Sequence, residues 1–189
     1  MAALLVAFLG GKTGRWRVRR MDPVSGQGLE AVAFVEIVEG LAASPANGAG
    51  PWTTESAWVL RGATSNERYV TRAEHDTLVA RQEPVGRAAS TRAALIPIRK
   101  SERWWELAQD ERRRIFEERS RHVAQGVGYL PAIARRLHHS RDLGEPFDFL
   151  TWFEFAPADA GAFDELAGRL RRTEEWSYVE REVDLRLVR

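Results

Sequence analysis

A histidine lies where the sequence predicts a buried face. Residues 110–125 have the spacing of an amphipathic helix, and Ile115 and Phe116 recur one heptad later as His122 and Val123. The imidazole of His122 is therefore expected on the apolar stripe of that helix, where it could bind a metal or a cofactor. A core or interface histidine bonded to a backbone carbonyl is the ordinary alternative, and periodicity alone does not separate the two.

An arginine raises the same question one element later. In the strand predicted at residues 133–139, alternation puts Arg135 on the same face as two apolar residues. A buried cation without a partner is costly, so an anionic or polar partner is expected nearby. Glu154 or Asp148 could supply it, or the side chain could reach solvent at the strand edge. A haem with its iron held by His122 and its open side facing Arg135 would account for both residues.

Charged and aromatic residues elsewhere could complete such a site. A metal-bound histidine usually has a hydrogen-bonding partner on its other ring nitrogen, which fixes the tautomer. Glu174 or Glu175 could provide that carboxylate, and Lys100 could compensate its charge. All three could equally be surface charges, the usual position of lysine and glutamate. Trp104 and Trp105 are core residues by default, although an indole can also pack against a cofactor ring.

Composition restricts the possible function classes. The chain has 189 residues, 44% hydrophobic and 29% charged, which is ordinary for a soluble protein of one domain or two small fused ones. The net charge is +1, and the arginines at 112–114 are balanced by neighbouring glutamates, so no nucleic-acid partner is expected. The absence of cysteine excludes disulfides, iron–sulfur clusters and thiolate ligands.

The apolar segment at residues 1–10 is expected to form a buried first strand. It has no preceding basic region and no small-residue cleavage site, and it is too short to span a bilayer. Together with the cysteine-free composition, this predicts a cytoplasmic protein without a membrane partner.

The predicted elements give an α+β protein. The first half contains possible strands, a loop and a helix that begins with a capping box at Thr71 and Glu74. The second half runs strand, helix, strand, strand, helix, strand, which is the ferredoxin-like, split βαβ order with an antiparallel sheet. Both faces of the strand at 147–155 are apolar, so the first half or a second subunit must cover the face away from the helices. The first-half elements are expected at 3–9, 15–21, 30–38 (a strand or short helix), 41–51 (the loop), 57–62 and 71–82; those of the second half at 93–98, 110–125, 133–139, 147–155, 158–170 and 178–188.

The sequence resembles the chlorite dismutase family, and in particular its short lineage. The resemblance covers nearly the whole chain and is densest in four segments, at 58–71, 93–105, 116–139 and 147–155. It implies ferredoxin-like halves at 1–88, where the half is reduced, and at 89–189, where haem b binds. It also implies that two chains associate as a homodimer of α+β barrel type.

The resemblance also implies roles for individual residues. His122 matches the proximal iron ligand, Glu175 the carboxylate bonded to it, and Lys100 the basic residue of that network. Arg135 matches the distal arginine of the chlorite-decomposing members, and Gln82 a glutamine that lies near this arginine and holds one of its positions.

Three more residues are placed next to the cofactor by the same resemblance. Trp104 matches a tryptophan near the haem, and Asn66 and Tyr69 lie in a segment that approaches the haem edge.

The implied activity is the decomposition of chlorite to chloride and dioxygen. Oxygen transfer from chlorite would give a high-valent oxo-iron species and transient hypochlorite, which Arg135 would hold until the two recombine. A haem peroxidase or a coproheme decarboxylase of the same fold is the alternative enzyme, since a fold does not settle an activity. A dimeric haem-binding module without catalysis is the alternative outside enzymes.

Overall fold

The computed structural model describes residues 5–41, 56–64 and 69–189, and its eight strands form one closed antiparallel barrel. The mixed α+β class with an antiparallel sheet is therefore confirmed. The strands are β1 (Leu5–Gly11), β2 (Trp16–Ser25), β3 (Phe34–Leu41), β4 (Ser56–Thr64), β5 (Arg92–Lys100), β6 (Ala134–His139), β7 (Phe149–Phe155) and β8 (Val179–Val188). The helices are α1 (Arg72–Arg81), α2 (Glu102–Glu106), α3 (Gln109–Arg113), a π-helical turn (Arg114–Arg119), α4 (His122–Val127) and α5 (Ala160–Leu170), with short 3₁₀ turns at Arg141–Leu143, Pro157–Asp159 and Glu174–Tyr178.

The strand order around the barrel repeats between the two halves of the chain. Around the barrel the order is β1-β3-β2-β8-β5-β7-β6-β4. The four strands of each half therefore lie in the same spatial order: β4-β1-β3-β2 in the first half and β8-β5-β7-β6 in the second. The closing contact between β4 and β6 has two residue pairs, Ala63 with His139 and Thr64 with His138.

Strands β5 and β7 have two buried faces with different neighbours. One face points into the barrel, where Leu95, Leu150 and Trp152 belong to a core completed by strands of the first half. The other face carries Ile96 and Phe153 and is covered by α5. The first half of the chain thus supplies the cover expected for the second face of β7.

The amphipathic helix expected at residues 110–125 is interrupted, and this prediction was wrong in its continuity. A π-helical turn follows α3, the backbone of Arg121 is left-handed with φ 52°, and His122 begins a new helix. Tertiary contacts account for the break, because Ser120 turns inward and its hydroxyl accepts a hydrogen bond from the amide of Glu175 at 3.0 Å. A π-helical turn holds one residue more than an α-helical turn, and heptad spacing in the sequence does not reveal that insertion.

Other expected elements are present with shifted ends. The segment at 30–38, left open between strand and helix, contributes the strand β3, and α1 begins after Thr71 with the expected capping box to Glu74. The loop expected at 41–51 lies outside the described residues apart from Leu41, which ends β3. None of the helices in the described ranges is both long and apolar enough to cross a bilayer.

Candidate active site

A large, mostly apolar cavity lies between the outer face of β5, β6 and β7 and the helices packed on it. It encloses about 1240 Å³, a volume that includes the solvent at its open mouth. The lining is dominated by aliphatic and aromatic side chains. Six of the residues predicted for the site line this one cavity: Tyr69, Lys100, Trp104, His122, Arg135 and Glu175.

A buried chain of polar contacts holds the imidazole of His122. Its Nδ1 lies 2.7 Å from Oε2 of Glu175, and the Nζ of Lys100 donates to Oε1 of the same carboxylate, also at 2.7 Å. Lys100 and Glu175 are each 4% exposed, whereas the His122 side chain is 19% exposed. Nδ1 is thus engaged on the protein side, so Nε2 is the ring nitrogen available to a ligand.

The charges in this chain keep the carboxyl of Glu175 ionised. Burial on its own would raise its pKa, but the Lys100 ammonium and the His122 ring outweigh burial and hold the pKa at about 2. A carboxylate that stays charged strengthens the hydrogen bond to Nδ1 and makes Nε2 a better electron-pair donor. Glu174, the other carboxylate that the sequence left open, instead forms a surface ion pair with Arg119.

Two residues that the sequence reasoning missed support the imidazole. Phe116, in the π-helical turn, stacks on the His122 ring with centroids 4.5 Å apart and planes at 20°. The indole of Trp176 lies near-parallel to the same ring at 6.3 Å, and its Nε1 donates to Glu182 at 2.8 Å. For Phe116 the available signal was its place on the apolar stripe that carries His122, and for Trp176 it was adjacency to Glu175; neither indicates a contact with the ring.

Arg135 lies on β6 and lines the same cavity as His122. The amide of Gln82, at the end of α1, donates to the backbone carbonyl of Arg135 at 3.0 Å. The two carboxylates considered as partners of Arg135 bind other groups. Glu154 accepts from the amide of Gly86 and from an indole, and Asp148 accepts from the amide of Lys100. Gln82 thus lies next to Arg135, and it contacts the main chain of the arginine.

Trp104 and Tyr69 form one wall of the cavity. Trp104 is 1% exposed, Lys100 Nζ lies 4.6 Å from its ring centroid, and its Nε1 has no hydrogen-bond partner among the described residues. Tyr69 meets the Trp104 ring edge-on at 6.1 Å, and its hydroxyl accepts from Arg112 at 3.3 Å. Asn66 lies outside the described residues.

The remaining histidines of this region divide between the two faces of β6. His139 lines the cavity, whereas His138 points into the barrel with its Nδ1 3.0 Å from the Thr64 hydroxyl. Burial, with a smaller contribution from Arg136, lowers the pKa of His138 to about 3, so that ring is neutral. Within the described ranges, no three His, Asp or Glu side chains converge as a metal site. With its Nδ1 engaged by Glu175, His122 could serve through Nε2 as the single protein ligand of a metal-containing cofactor.

Comparisons with known proteins point in one direction. A family model described as chlorite dismutase matches residues 49–188. A curated chlorite dismutase from Ideonella dechloratans is 34% identical over 86 residues, which is 46% of this chain and 28% of that protein. The alignment thus spans little more than a quarter of that relative.

Solved structures extend the similarity to the whole chain. The crystal structure of dimeric chlorite dismutase from Nitrobacter winogradskyi is 53% identical, with a TM-score of 0.87, and the match covers 97% of this chain and 99% of that one. A mutant chlorite dismutase from Candidatus Nitrospira defluvii matches with a TM-score of 0.71 over 100% of this chain and 92% of its own, at 18% identity. At that identity the likeness shows the fold alone.

Proposed function

Because this chain belongs to the chlorite dismutase family, we propose that it is a haem b enzyme that decomposes chlorite to chloride and dioxygen. One observation carries the proposal: His122 is held by the buried Glu175 and Lys100 in a cavity that Arg135 also lines. An imidazole for iron and a guanidinium for an oxyanion are the two groups that this chemistry asks of a protein.

The residues of the cavity fit a haem. Its aliphatic and aromatic lining suits a large flat apolar ligand, and His122 offers a single nitrogen for iron. The indole Nε1 of Trp104 is a buried donor without a partner among the described residues, and a ligand that carries carboxylates could accept from it. Tyr69 and Asn66 are proposed as further contacts of the cofactor edge.

The proximal residues would fix the iron ligand. His122 would bind the metal through Nε2, while Glu175 keeps the proton on Nδ1 and sets the orientation of the ring. Lys100 balances the charge of Glu175, so the carboxylate remains ionised without water. When bound, haem supplies the redox chemistry that converts chlorite to chloride and dioxygen.

Arg135 is the proposed catalytic residue of the protein itself. Its guanidinium stays charged at working pH and can bind an oxyanion through two N–H groups. A charge-assisted hydrogen bond of about 1.5–3 kcal/mol would slow the escape of a transient chlorine oxyanion by about tenfold to a hundredfold. Gln82, which bonds the carbonyl of Arg135, is proposed to help hold the arginine in place.

The wider organisation is also a proposal. The repeated strand order supports two ferredoxin-like halves, at 1–88 and 89–189, the first of them lacking a helix between β1 and β2. The name of the Nitrobacter winogradskyi relative supports a homodimer. The cysteine-free composition supports a cytoplasmic location.

The test combines a spectrum with an oxygen trace. Protein purified with haem supplied should show a Soret band, and chlorite should then give steady dioxygen evolution at an oxygen electrode. His122→Ala should lose tight haem binding, because the iron loses its protein ligand. His75→Ala, on α1 and outside the cavity lining, is the matched control and should bind haem normally.

Each contrary outcome identifies a different function. Haem binding without dioxygen evolution, but with loss of propionates from coproheme, would indicate a decarboxylase, and peroxide-dependent oxidation alone would indicate a peroxidase. Haem binding without turnover of any of these substrates would leave a carrier module. Absence of a Soret band from protein purified with haem supplied would refute the proposal altogether.

A further inference from the structure

We propose that Glu117 is a positioning residue for His122. The proposal rests on the proposed function for the cofactor that His122 would hold. The geometry that supports the role of Glu117 is that of the protein residues alone. Glu117 lies five residues before His122, and its carboxylate bonds backbone amides rather than the imidazole. It acts through the helix that His122 begins.

The break before His122 creates a need for a cap. Because α4 is a new helix, its first amide groups have no carbonyl one turn earlier within the helix. The residue in the capping position is Arg121, whose side chain makes no capping hydrogen bond. Serine, threonine, aspartate or asparagine would ordinarily take that position.

Glu117 supplies the missing cap from the preceding turn. Its Oε2 accepts from the amide of Val123 at 2.6 Å, and its Oε1 accepts from the amide of Ala124 at 3.2 Å. Both oxygens of one carboxylate thus bind the two residues that directly follow His122. The negative charge also lies at the positive end of the helix dipole, which adds to the stabilisation.

His122 and Glu175, the two residues joined by the imidazole hydrogen bond, both connect to this interruption of the helix. The amide of Glu175 donates to the Ser120 hydroxyl at 3.0 Å, two residues before His122. Phe116, next to Glu117 in the π-helical turn, stacks on the imidazole. A shift of α4 relative to the turn would therefore move the His122 ring away from its carboxylate and from its stacking partner together.

The experiment compares Glu117→Ala and Glu117→Gln with Glu118→Ala, which removes the exposed neighbouring carboxylate. Amide hydrogen exchange reports the cap at Val123 and Ala124, and ¹⁵N NMR of the apoprotein reports the tautomer of His122. Transfer of haem to an excess of a scavenger apoprotein gives the rate of haem loss.

The alanine variant should lower protection of the two amides by about 3- to 30-fold, the range expected for a lost cap. It should also mix the His122 tautomers and speed haem loss by about tenfold, the lower end of effects seen for outer contacts of metal ligands. The glutamine variant should fall between alanine and wild type, and Glu118→Ala should match wild type.

Loss of amide protection with an unchanged tautomer and unchanged haem loss would overturn the proposal, since Glu117 would then be a helix cap only. If the alanine variant fails to fold, the glutamine variant decides by the same readouts. If wild-type protein takes up no haem, the proposed function fails, while the tautomer and exchange data still decide the role of Glu117.

Discussion

Replacing Glu175 with glutamine tests whether the buried charges behind His122 act as a pair. The substitution leaves the Lys100 ammonium in a site where it is 4% exposed, with an amide in place of its counter-charge. Breaking a buried ion pair on one side costs about 3–5 kcal/mol. The lower end applies, because the backbone carbonyl of residue 175 remains 3.3 Å from Nζ. We expect apoprotein stability at neutral pH to fall by about 3 kcal/mol.

Urea unfolding of the apoprotein measures this change. With a slope of about 1–3 kcal/mol per molar urea, the midpoint should fall by at least about 1 M at an unchanged slope. Glu174→Gln is the matched control, because that side chain is 42% exposed and pairs with Arg119 at the surface. Its effect should stay below about 1 kcal/mol.

A double variant separates the charge from the packing. Lys100→Met together with Glu175→Gln removes both charges, so no uncompensated ion remains buried. It should be more stable than Glu175→Gln alone. The reasoning is refuted if Glu175→Gln stays within about 1 kcal/mol of wild type, or if the added Lys100→Met substitution recovers nothing.

Three further outcomes are expected. Arg135→Ala should lower chlorite turnover by about tenfold to a hundredfold and speed haem bleaching, measured by oxygen-electrode and absorbance traces. The control Arg136→Ala, which breaks an ion pair with Glu39, should leave turnover and bleaching unchanged. Equal behaviour of the two variants would remove Arg135 from the mechanism. His138 binds its proton less readily in the folded state, with its pKa lowered to about 3 from 6.5, so its contribution to stability is complete above pH 6.5 and is lost as the pH falls toward 3. Urea unfolding should show about 2 kcal/mol less stability at pH 5 than at pH 7 from this group, and a His138→Asn variant with an unchanged difference would contradict it. Gly10→Ala should destabilise the protein by about 1–3 kcal/mol in thermal or urea unfolding, because an added Cβ would lie 2.1 Å from the Trp58 ring; unchanged stability would mean that the indole moves aside freely.

Period-two alternation predicted the part of the site that depends on strands. It put Arg135 on an interior face, and the structure has this residue lining the cavity. The same reasoning showed that both faces of β7 need cover, but it left open whether the first half or a second subunit provides it. The closed barrel depends on a two-pair contact between β4 and β6, which carries no local sequence signal.

The helical part of the site was predicted less well. His122 was placed on a buried stripe of a continuous helix, whereas it begins a short helix after a break. The residues gave no way to choose between Glu174 and Glu175, since the contacts that Glu175 makes with Lys100, Ser120 and His122 span 53 to 75 residues. Contacts over such distances follow from the tertiary arrangement, and local spacing does not encode them.

Strand β6 forms a wall shared by two compartments. Arg136 and His138 point into the barrel, while Arg135 and His139 line the cavity. Inserting or deleting one residue in this strand would exchange the two sets, sending the cavity's groups to the barrel side and the barrel-side groups into the cavity. Selection should therefore tolerate changes of side chain at a single position of β6 far better than a change in its length.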